Sequence, residues 1–175
     1  MSAHNRLVEE LVQILTELRE AHLEWGRRAD AHRLHLIAHR MDAVSEGARD
    51  LDSRIELMAP LDDRRLELAF ALGASLGLPR QERPPTISEL AAALGSAGAA
   101  LQDAAKRVRE AVQASAAIAE RNRRLAESGS RVAEATVKAL ARAVTRSSSS
   151  QSAYDRAGAR STGVAVPVFQ RAWKG

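Results

Sequence analysis

An all-α fold is predicted by three features of this 175-residue sequence: its composition, the spacing of its apolar residues, and the position of its loop signals. Alanine, leucine, arginine and glutamate dominate, while aromatic residues make up only 3%. The common residues favour helices, whereas sheets favour β-branched and aromatic residues. Apolar residues recur at alternating steps of three and four, and glycine and proline cluster between such stretches. We expect an elongated antiparallel three-helix bundle or coiled coil with a long third helix and a disordered C-terminal tail.

Two long amphipathic helices are predicted in the N-terminal half, over about residues 4–38 and about residues 42–76. The first has an apolar stripe of Leu7, Leu11, Ile14, Leu18, Ala21 and Trp25. The second has a stripe of Ile37, Met41, Val44, Ala48, Leu51, Ile55 and Met58. The two stripes are out of phase. Either a stutter in one continuous helix or a turn near residues 39–42, with Asp42 as the N-cap, explains the break.

Proline and glycine mark the boundaries that follow. Pro60 lies inside the second helical pattern, where it predicts a kink, or alternatively a helix start because acidic residues follow it. Gly77 predicts the end of that helix, and residues 78–85 form a loop. The segment Thr86-Ile87-Ser88-Glu89 has the spacing of a capping box, which predicts a short helix over residues 87–94.

The last predicted helix, about residues 98–146, is the longest. One apolar stripe runs along it from Leu101 to Ala143. Its C-terminal half carries a second, adjacent stripe of Ala133, Val137, Leu140 and Val144. Two stripes make a wider apolar face than the packing of one helix pair requires. Asn122 lies on the main stripe, and we expect a hydrogen-bonded core amide there.

The four serines at residues 147–150 are expected to end this helix. Residues 1–146 then form the helical domain, and residues 147–175 form a flexible basic tail rich in serine, glycine, alanine and arginine. The tail holds three of the five aromatic residues of the chain: Tyr154, Phe169 and Trp173. Aromatic side chains in such a segment are candidate anchors for a partner protein.

Charge and composition argue against nucleic acid, membrane and disulfide chemistry. Residues 147–175 carry four basic residues and one acidic residue, whereas residues 1–146 carry 22 basic and 21 acidic residues. Nucleic-acid binding needs a concentrated basic face, and the near-neutral helical domain does not predict one. No apolar run is long enough for membrane insertion, no cysteine is present, and the N-terminus lacks a signal-peptide pattern. We expect a cytoplasmic protein.

No motif in the sequence predicts catalysis, a cofactor or a metal site. His32, His35 and His39, with Asp42, have a spacing that places two ligands on one helix face. No second helix has matching ligands, so we expect an ordinary polar helix face. A phosphate-binding loop and a nucleophile elbow are both missing. An enzyme is therefore the least expected class, and a binding protein that offers apolar helix surface to other helices is the most expected.

Several segments, in this order, resemble the FlgN-type flagellar export chaperones over nearly the whole chain. Residues 37–55 are similar to the family's first turn and second-helix start, and residues 61–78 to its acid–arginine stretch ending in Leu-Gly. Residues 86–90 resemble its short Thr-Leu-x-Glu-Leu helix.

Two further elements complete the resemblance. Residues 119–125 resemble an Asn-x-x-Asn-x-x-Leu element, with Ala119 in place of the first asparagine. Residues 154–158 resemble a Tyr-Gly-x-x-Gly element, with Asp155 in place of its first glycine.

The resemblance implies a three-helix, largely antiparallel fold with its first turn near Met41. It also implies a cytoplasmic chaperone of flagellar type III export. Such a chaperone binds the C-terminal helical segment of hook–filament junction proteins, prevents premature assembly and delivers these proteins to the export gate. The implied partners are the junction proteins, the cytoplasmic domain of the export gate and, as a further candidate, the export ATPase complex. Tyr154 is the implied docking residue for the export gate.

The substrate-binding surface is predicted on the wide apolar face of the last helix, where a guest helix can pack. Its residues are Ile118, Leu125, Val132, Val137, Leu140 and Val144. The sequence leaves one alternative open: a homodimeric coiled-coil scaffold or adaptor that uses the same face on a second copy and has no chaperone role.

Overall fold

The computed structural model describes residues 3–79 and 83–155, with the backbone alone for residues 3, 144 and 146–155. Its α-helices are α1 (Ala3–Ile37), α2 (Met41–Ser75), α3 (Ile87–Leu94) and α4 (Ala99–Asp155), and a 3₁₀ turn, Gly95–Gly98, joins α3 to α4. Neither described range contains a strand. The prediction of an all-α helical bundle is confirmed.

The chain divides into two compact units, Met1–Ser128 and Gly129–Gly175. The first unit holds α1, α2, α3 and the first part of α4, and the second unit holds the remainder of α4. α4 does not end at the serines of residues 147–150 as expected but continues to Asp155. Serine costs a helix only a fraction of a kcal/mol, roughly 0.5, and residues 147–155 contain neither glycine nor proline. Residues 156–175, the rest of the predicted tail, lie outside the described residues.

A tight turn joins α1 to α2, which decides between the two explanations of the phase break. Two backbone hydrogen bonds close the turn, from Arg40 N to the His35 oxygen (3.1 Å) and from His39 N to the Leu36 oxygen (3.3 Å). This pair of bonds is a Schellman motif, in which His39 takes the left-handed position (φ 51°) that glycine usually fills. The prediction of Asp42 as the N-cap was wrong. The N-cap is Arg40, and Asp42 lies in the first turn of α2, where a carboxylate suits the positive end of the helix dipole.

α2 runs without a break through Pro60, so no new helix begins there. Proline has no N–H to donate to the carbonyl group four residues earlier, which here belongs to Glu56. Both Glu56 and Pro60 are exposed, and water can satisfy that carbonyl group. The position of Pro60 on a solvent-facing side explains why the helix tolerates it.

The predicted stop and start signals around the next loop are both present. Gly77, with φ 71°, ends α2, and Leu78 N donates to the Gly73 oxygen over 3.0 Å. α3 begins with the predicted capping box. The Glu89 backbone N–H donates to the Thr86 hydroxyl oxygen (3.2 Å), and the Thr86 N–H donates to the Glu89 carboxylate (2.6 Å). The Arg83 guanidinium adds two hydrogen bonds to the same carboxylate, at 2.7 and 3.0 Å.

The capping carboxylate makes α3 sensitive to acid. The Arg83 guanidinium and the two Thr86 donors lower the pKa of Glu89 from 4.5 to about 2. Because the folded-state pKa is the lower one, this contribution to stability is complete above the unfolded value and is lost as the pH falls from about 4.5 towards 2. We expect Glu89→Ala to lower the free energy of unfolding at pH 7, and the difference from the unaltered chain to shrink by about pH 3. Urea unfolding followed by circular dichroism measures both values, and an equal difference at the two pH values would contradict the assignment.

The core lies where the N-terminal half of α1, the C-terminal part of α2, α3 and the start of α4 meet. Its buried residues are leucines and alanines: Leu11, Leu15, Leu68, Ala69, Leu72, Leu90, Leu101 and Ala105. Half-buried side chains such as Val8, Ile14 and Val108 pack against them. The large side chains in this core are aliphatic, as the low aromatic content of the sequence requires.

Polar contacts define the directions of the long helices in the first unit. Ion pairs between Arg28 and Asp50 (3.0 Å) and between Glu10 and Arg64 (3.6 Å) join α1 to an antiparallel α2. α4 runs parallel to α1. The Ser115 hydroxyl lies 2.8 Å from the His22 oxygen, and seven residues further along both helices the Asn122 amide donates to the Ala29 oxygen over 2.6 Å. The two equal steps of seven fix a single register between α1 and α4.

Candidate protein-binding surface

The second unit contains a stretch of α4 in which every side chain from residue 130 to residue 143 is exposed. Local interactions support the helix there. Glu134 and Lys138 form an i,i+4 ion pair (3.9 Å), and the Thr136 hydroxyl donates to the Val132 oxygen (2.9 Å). Such interactions stabilise a helix only modestly. Because their side chains are exposed, the apolar residues of this stretch contribute little to the packing of the described chain.

The exposed stretch has one apolar side and one charged side. Val132, Val137 and Leu140 have exposed fractions of 63, 64 and 61%. Helical spacing places them together with smaller residues: Ala133, Thr136, Ala139 and Ala143. The charged residues Arg131, Glu134, Lys138 and Arg142 follow steps of three and four on the other side. We call the side that carries Val132, Val137 and Leu140 the distal face.

The structure places the six predicted substrate-binding residues in different surroundings. Val132, Val137 and Leu140 are exposed in the second unit. Ile118 and Leu125 belong to the first unit and are half-buried. The Cδ1 atom of Ile118 lies 3.5 Å from the point where a Cβ on Gly26 would be, so Ile118 packs against α1.

Two of the predicted site residues have only their backbone described. Val144, predicted for substrate binding, and Tyr154, predicted for the export gate, both lie within α4. Their side chains lie outside the described part of the structure. Both assignments therefore remain predictions.

Asn122 is buried on the stripe of α4, as expected, but its amide is only half satisfied. Its Nδ2 group donates to the Ala29 oxygen over 2.6 Å, whereas its Oδ1 atom is buried without a hydrogen-bond partner among the described residues. A half-paired amide costs stability, and its remaining bond ties α4 to one position along α1.

Sequence reasoning missed a second exposed apolar surface. The predicted stripe of α2 was expected to pack, yet Met41 (67% exposed), Ala48 and Ile55 (54% exposed) face solvent. The interleaved residues Val44, Leu51 and Met58 are half-buried. The one signal available in the sequence was charge, because residues 41–63 contain seven carboxylates and only two arginines.

The histidine cluster lies at the α1–α2 hairpin. The ring of His32 packs against Gly47 of α2, where burial, and to a lesser extent His35, lowers the pKa of His32. His39 occupies the turn itself. Within the described ranges, no three histidine, aspartate or glutamate side chains come together in a way that could hold a metal ion. Also within those ranges, no helix is both long enough and apolar enough to cross a membrane.

A surface groove of about 760 Å³ lies between α2 and the start of α3. Phe70, Gly73, Leu78 and Pro85 supply apolar walls. Its charged lining residues are Arg83 and Glu89, and these pair with each other in the capping network of α3. The charged groups of this groove are therefore already engaged with each other.

Comparison with known protein families gives a match. The family model described as FlgN protein matches residues 1–162, which is nearly the whole chain. No curated protein and no solved structure matches.

Proposed function

The chain belongs to the FlgN family of flagellar export chaperones, and from this premise we propose that its distal face binds the C-terminal helical segment of hook–filament junction proteins. Binding prevents premature assembly of these proteins in the cytoplasm, and the chaperone then delivers them to the export gate. The junction proteins polymerise through amphipathic helices, which are exposed apolar surfaces before export and therefore prone to aggregation.

The observation that carries this proposal is the exposure of three large aliphatic side chains on one side of a helix. Complete burial of one such side chain is favourable by about 1.5–3 kcal/mol relative to full exposure. Val132, Val137 and Leu140 are each more than half exposed, so a guest helix can gain most of this energy from them. An amphipathic guest packs on such a face through residues at steps of three and four. Release needs no nucleotide, since handover at the gate can replace one helix contact with another.

Two aspartates in the distal face should abolish substrate binding and leave the fold intact. We expect Val137→Asp with Leu140→Asp to prevent co-purification with the junction protein, because burying two unpaired carboxylates under a guest helix is strongly unfavourable. Helix content by circular dichroism should not change, since both side chains are exposed in the free chain. Co-expression followed by affinity capture measures the binding.

The control places two aspartates on the charged side of the same helical turns, as Lys138→Asp with Arg142→Asp, and changes the net charge by −4 rather than by −2. This variant should still bind the junction protein. Unchanged binding by the variant of Val137 and Leu140 would locate the substrate site elsewhere. A tight dimer of the unaltered chain in sedimentation that Val137→Asp with Leu140→Asp dissolves would favour the scaffold function instead.

Tyr154 is proposed to dock on the cytoplasmic domain of the export gate. The support for this role is the resemblance of residues 154–158 to the family's C-terminal tyrosine element. Tyr154→Ala therefore serves as a second control, which should retain the junction protein while binding the export-gate domain more weakly. Equal loss of both partners would argue against separate surfaces.

A further inference from the structure

The exposed apolar stripe on the first half of α2 is a second candidate docking surface, separate from the distal face. Met41, Ala48 and Ile55 follow one another at steps of seven and therefore lie on one side of the helix. All three are exposed. Leu34 and Ile37, in the last turn of α1 just before this stripe in the sequence, are also exposed. Single exposed apolar residues are common on protein surfaces, whereas several that lie together on one side of a helix mark an interaction site.

Carboxylates line one edge of this stripe. Asp52, Glu56 and Asp63 are exposed and lie at helical steps of four and seven from one another. They form no ion pair within the described part of the chain, whereas Asp50 is paired with Arg28 and Arg54. With seven carboxylates against two arginines, residues 41–63 have a net charge of −5. We call Met41, Ala48 and Ile55, with these three unpaired carboxylates, the acidic face of α2.

We propose that the acidic face of α2 binds a basic amphipathic helix of a partner protein. Apolar residues of the partner at steps of three and four would pack on Met41, Ala48 and Ile55, while its flanking lysines and arginines would meet Asp52, Glu56 and Asp63. Complementary charge of this kind raises the association rate and selects the partner. The geometry matches the helix-in-groove mode of recognition, in which apolar anchors supply affinity.

Charge disfavours other occupants of this face. A second copy that used the same face would bring two acidic surfaces together, and an anionic membrane or a nucleic acid would be repelled. The acidic face extends from Met41 to Asp63, about 33 Å, and a partner that spans it needs roughly 22 residues of helix. Residues 156–175 of this chain are basic, but Gly158, Gly163 and Pro167 leave no glycine- and proline-free run longer than the seven residues 168–174. A helix supplied by another protein fits both the charge and the length.

Two synthetic helical peptides test the proposal on the full chain. Both have the same leucines at heptad spacing, and their flanking residues are lysine in one and glutamate in the other. Fluorescence anisotropy at low salt should show that the lysine peptide binds on the order of tenfold more tightly than the glutamate peptide. The preference should decline as salt is added, because the facing charges are exposed. Equal binding of the two peptides, or no binding of the lysine peptide, would overturn the proposal.

Charge reversal identifies the surface. The triple variant Asp52→Lys, Glu56→Lys and Asp63→Lys should invert the preference between the peptides. A matched triple variant with the same change in net charge, Glu9→Lys, Glu110→Lys and Glu134→Lys, should keep it, because those residues lie on α1 and α4. If both triple variants behave alike, net charge rather than this face selects the peptide, and the proposal fails.

Further experiments test whether the peptide binds the distal face instead, and whether the chain's own tail or a second copy occupies the acidic face of α2. The variant Val137→Asp with Leu140→Asp should still bind the lysine peptide, and loss of binding would place the peptide on the distal face. Reversal of the four basic residues within 156–175 should leave the affinity unchanged, and an increase would identify the chain's own tail as the occupant. Sedimentation showing a dimer that the triple reversal at Asp52, Glu56 and Asp63 dissolves would identify a second copy. Each of these three contrary results overturns the proposal, whereas capture of the junction protein tests the distal face in a separate experiment.

Discussion

Replacement of Gly98 by alanine is expected to lower the free energy of unfolding by roughly 1–3 kcal/mol, the usual cost of overpacking a well-packed site. Gly98 is buried at the end of the 3₁₀ turn between α3 and α4. A Cβ atom there would lie 2.3 Å from the carbonyl oxygen of Ala91 and 2.7 Å from its Cα atom. These are backbone atoms of α3, which cannot rotate away as a side chain can. The contact can be relieved only by a shift of the backbone of α3 or of the 3₁₀ turn, next to the core that Leu90 helps to form.

Gly129 supplies the matched control for this substitution. It lies inside α4, and a Cβ atom there would have no heavy atom within 4 Å outside its own helical backbone and chain neighbours. Gly129→Ala should therefore raise stability or helix content, by at most about 1 kcal/mol, because glycine is a poor helix former. Urea unfolding followed by circular dichroism measures both variants. Equal effects of the two substitutions would show that α3 does not approach the 3₁₀ turn at Gly98 as closely as the structure indicates.

The helices were predictable from spacing, whereas two of their ends were not. Apolar residues at steps of three and four identify α1, α2 and α4, and the capping box of Thr86 identifies α3. The turn between α1 and α2 could not be decided, because His39 occupies a left-handed position that glycine usually marks. Serines misled the prediction at the end of α4, because serine disfavours a helix only weakly compared with glycine or proline. The sequence therefore located a helix boundary only where a residue with a strong conformational preference, such as glycine, or a capping motif occurs at it.

The candidate surfaces show what a stripe pattern can and cannot predict. A heptad stripe indicates that a helix has an apolar side, but it does not reveal whether anything in the same chain covers it. Ile118 and Val132 lie on one stripe of α4, yet Ile118 packs near Gly26 while Val132 is exposed. On α2, Leu72 is completely buried and Ile55 is more than half exposed. The difference depends on tertiary contacts, which the spacing of apolar residues does not encode.

One substitution at two positions of α4 separates core from binding surface. Leu101 is completely buried, and Leu140 is 61% exposed. Leu101→Ala should lower the free energy of unfolding by about 2–5 kcal/mol, since it removes buried methyl groups and leaves a cavity among the core leucines. Leu140→Ala should change it by no more than about 0.5 kcal/mol, because the side chain makes few contacts in the free chain.

The two variants should differ in the opposite sense in binding the junction protein, with Leu140→Ala having the larger effect. Leu140→Ala removes apolar contact area from the distal face, so it should weaken capture of the junction protein while the fold remains stable. Leu101→Ala should not change the affinity of the folded molecules for the junction protein, because Leu101 has no exposed surface that a guest helix could contact. Unfolding curves and binding titrations, measured on the same preparations, supply the comparison. If Leu140→Ala instead destabilised the chain as much as Leu101→Ala, the side chain of Leu140 would be part of a core. Packing within the chain would then explain an apolar residue at this position, without a partner protein.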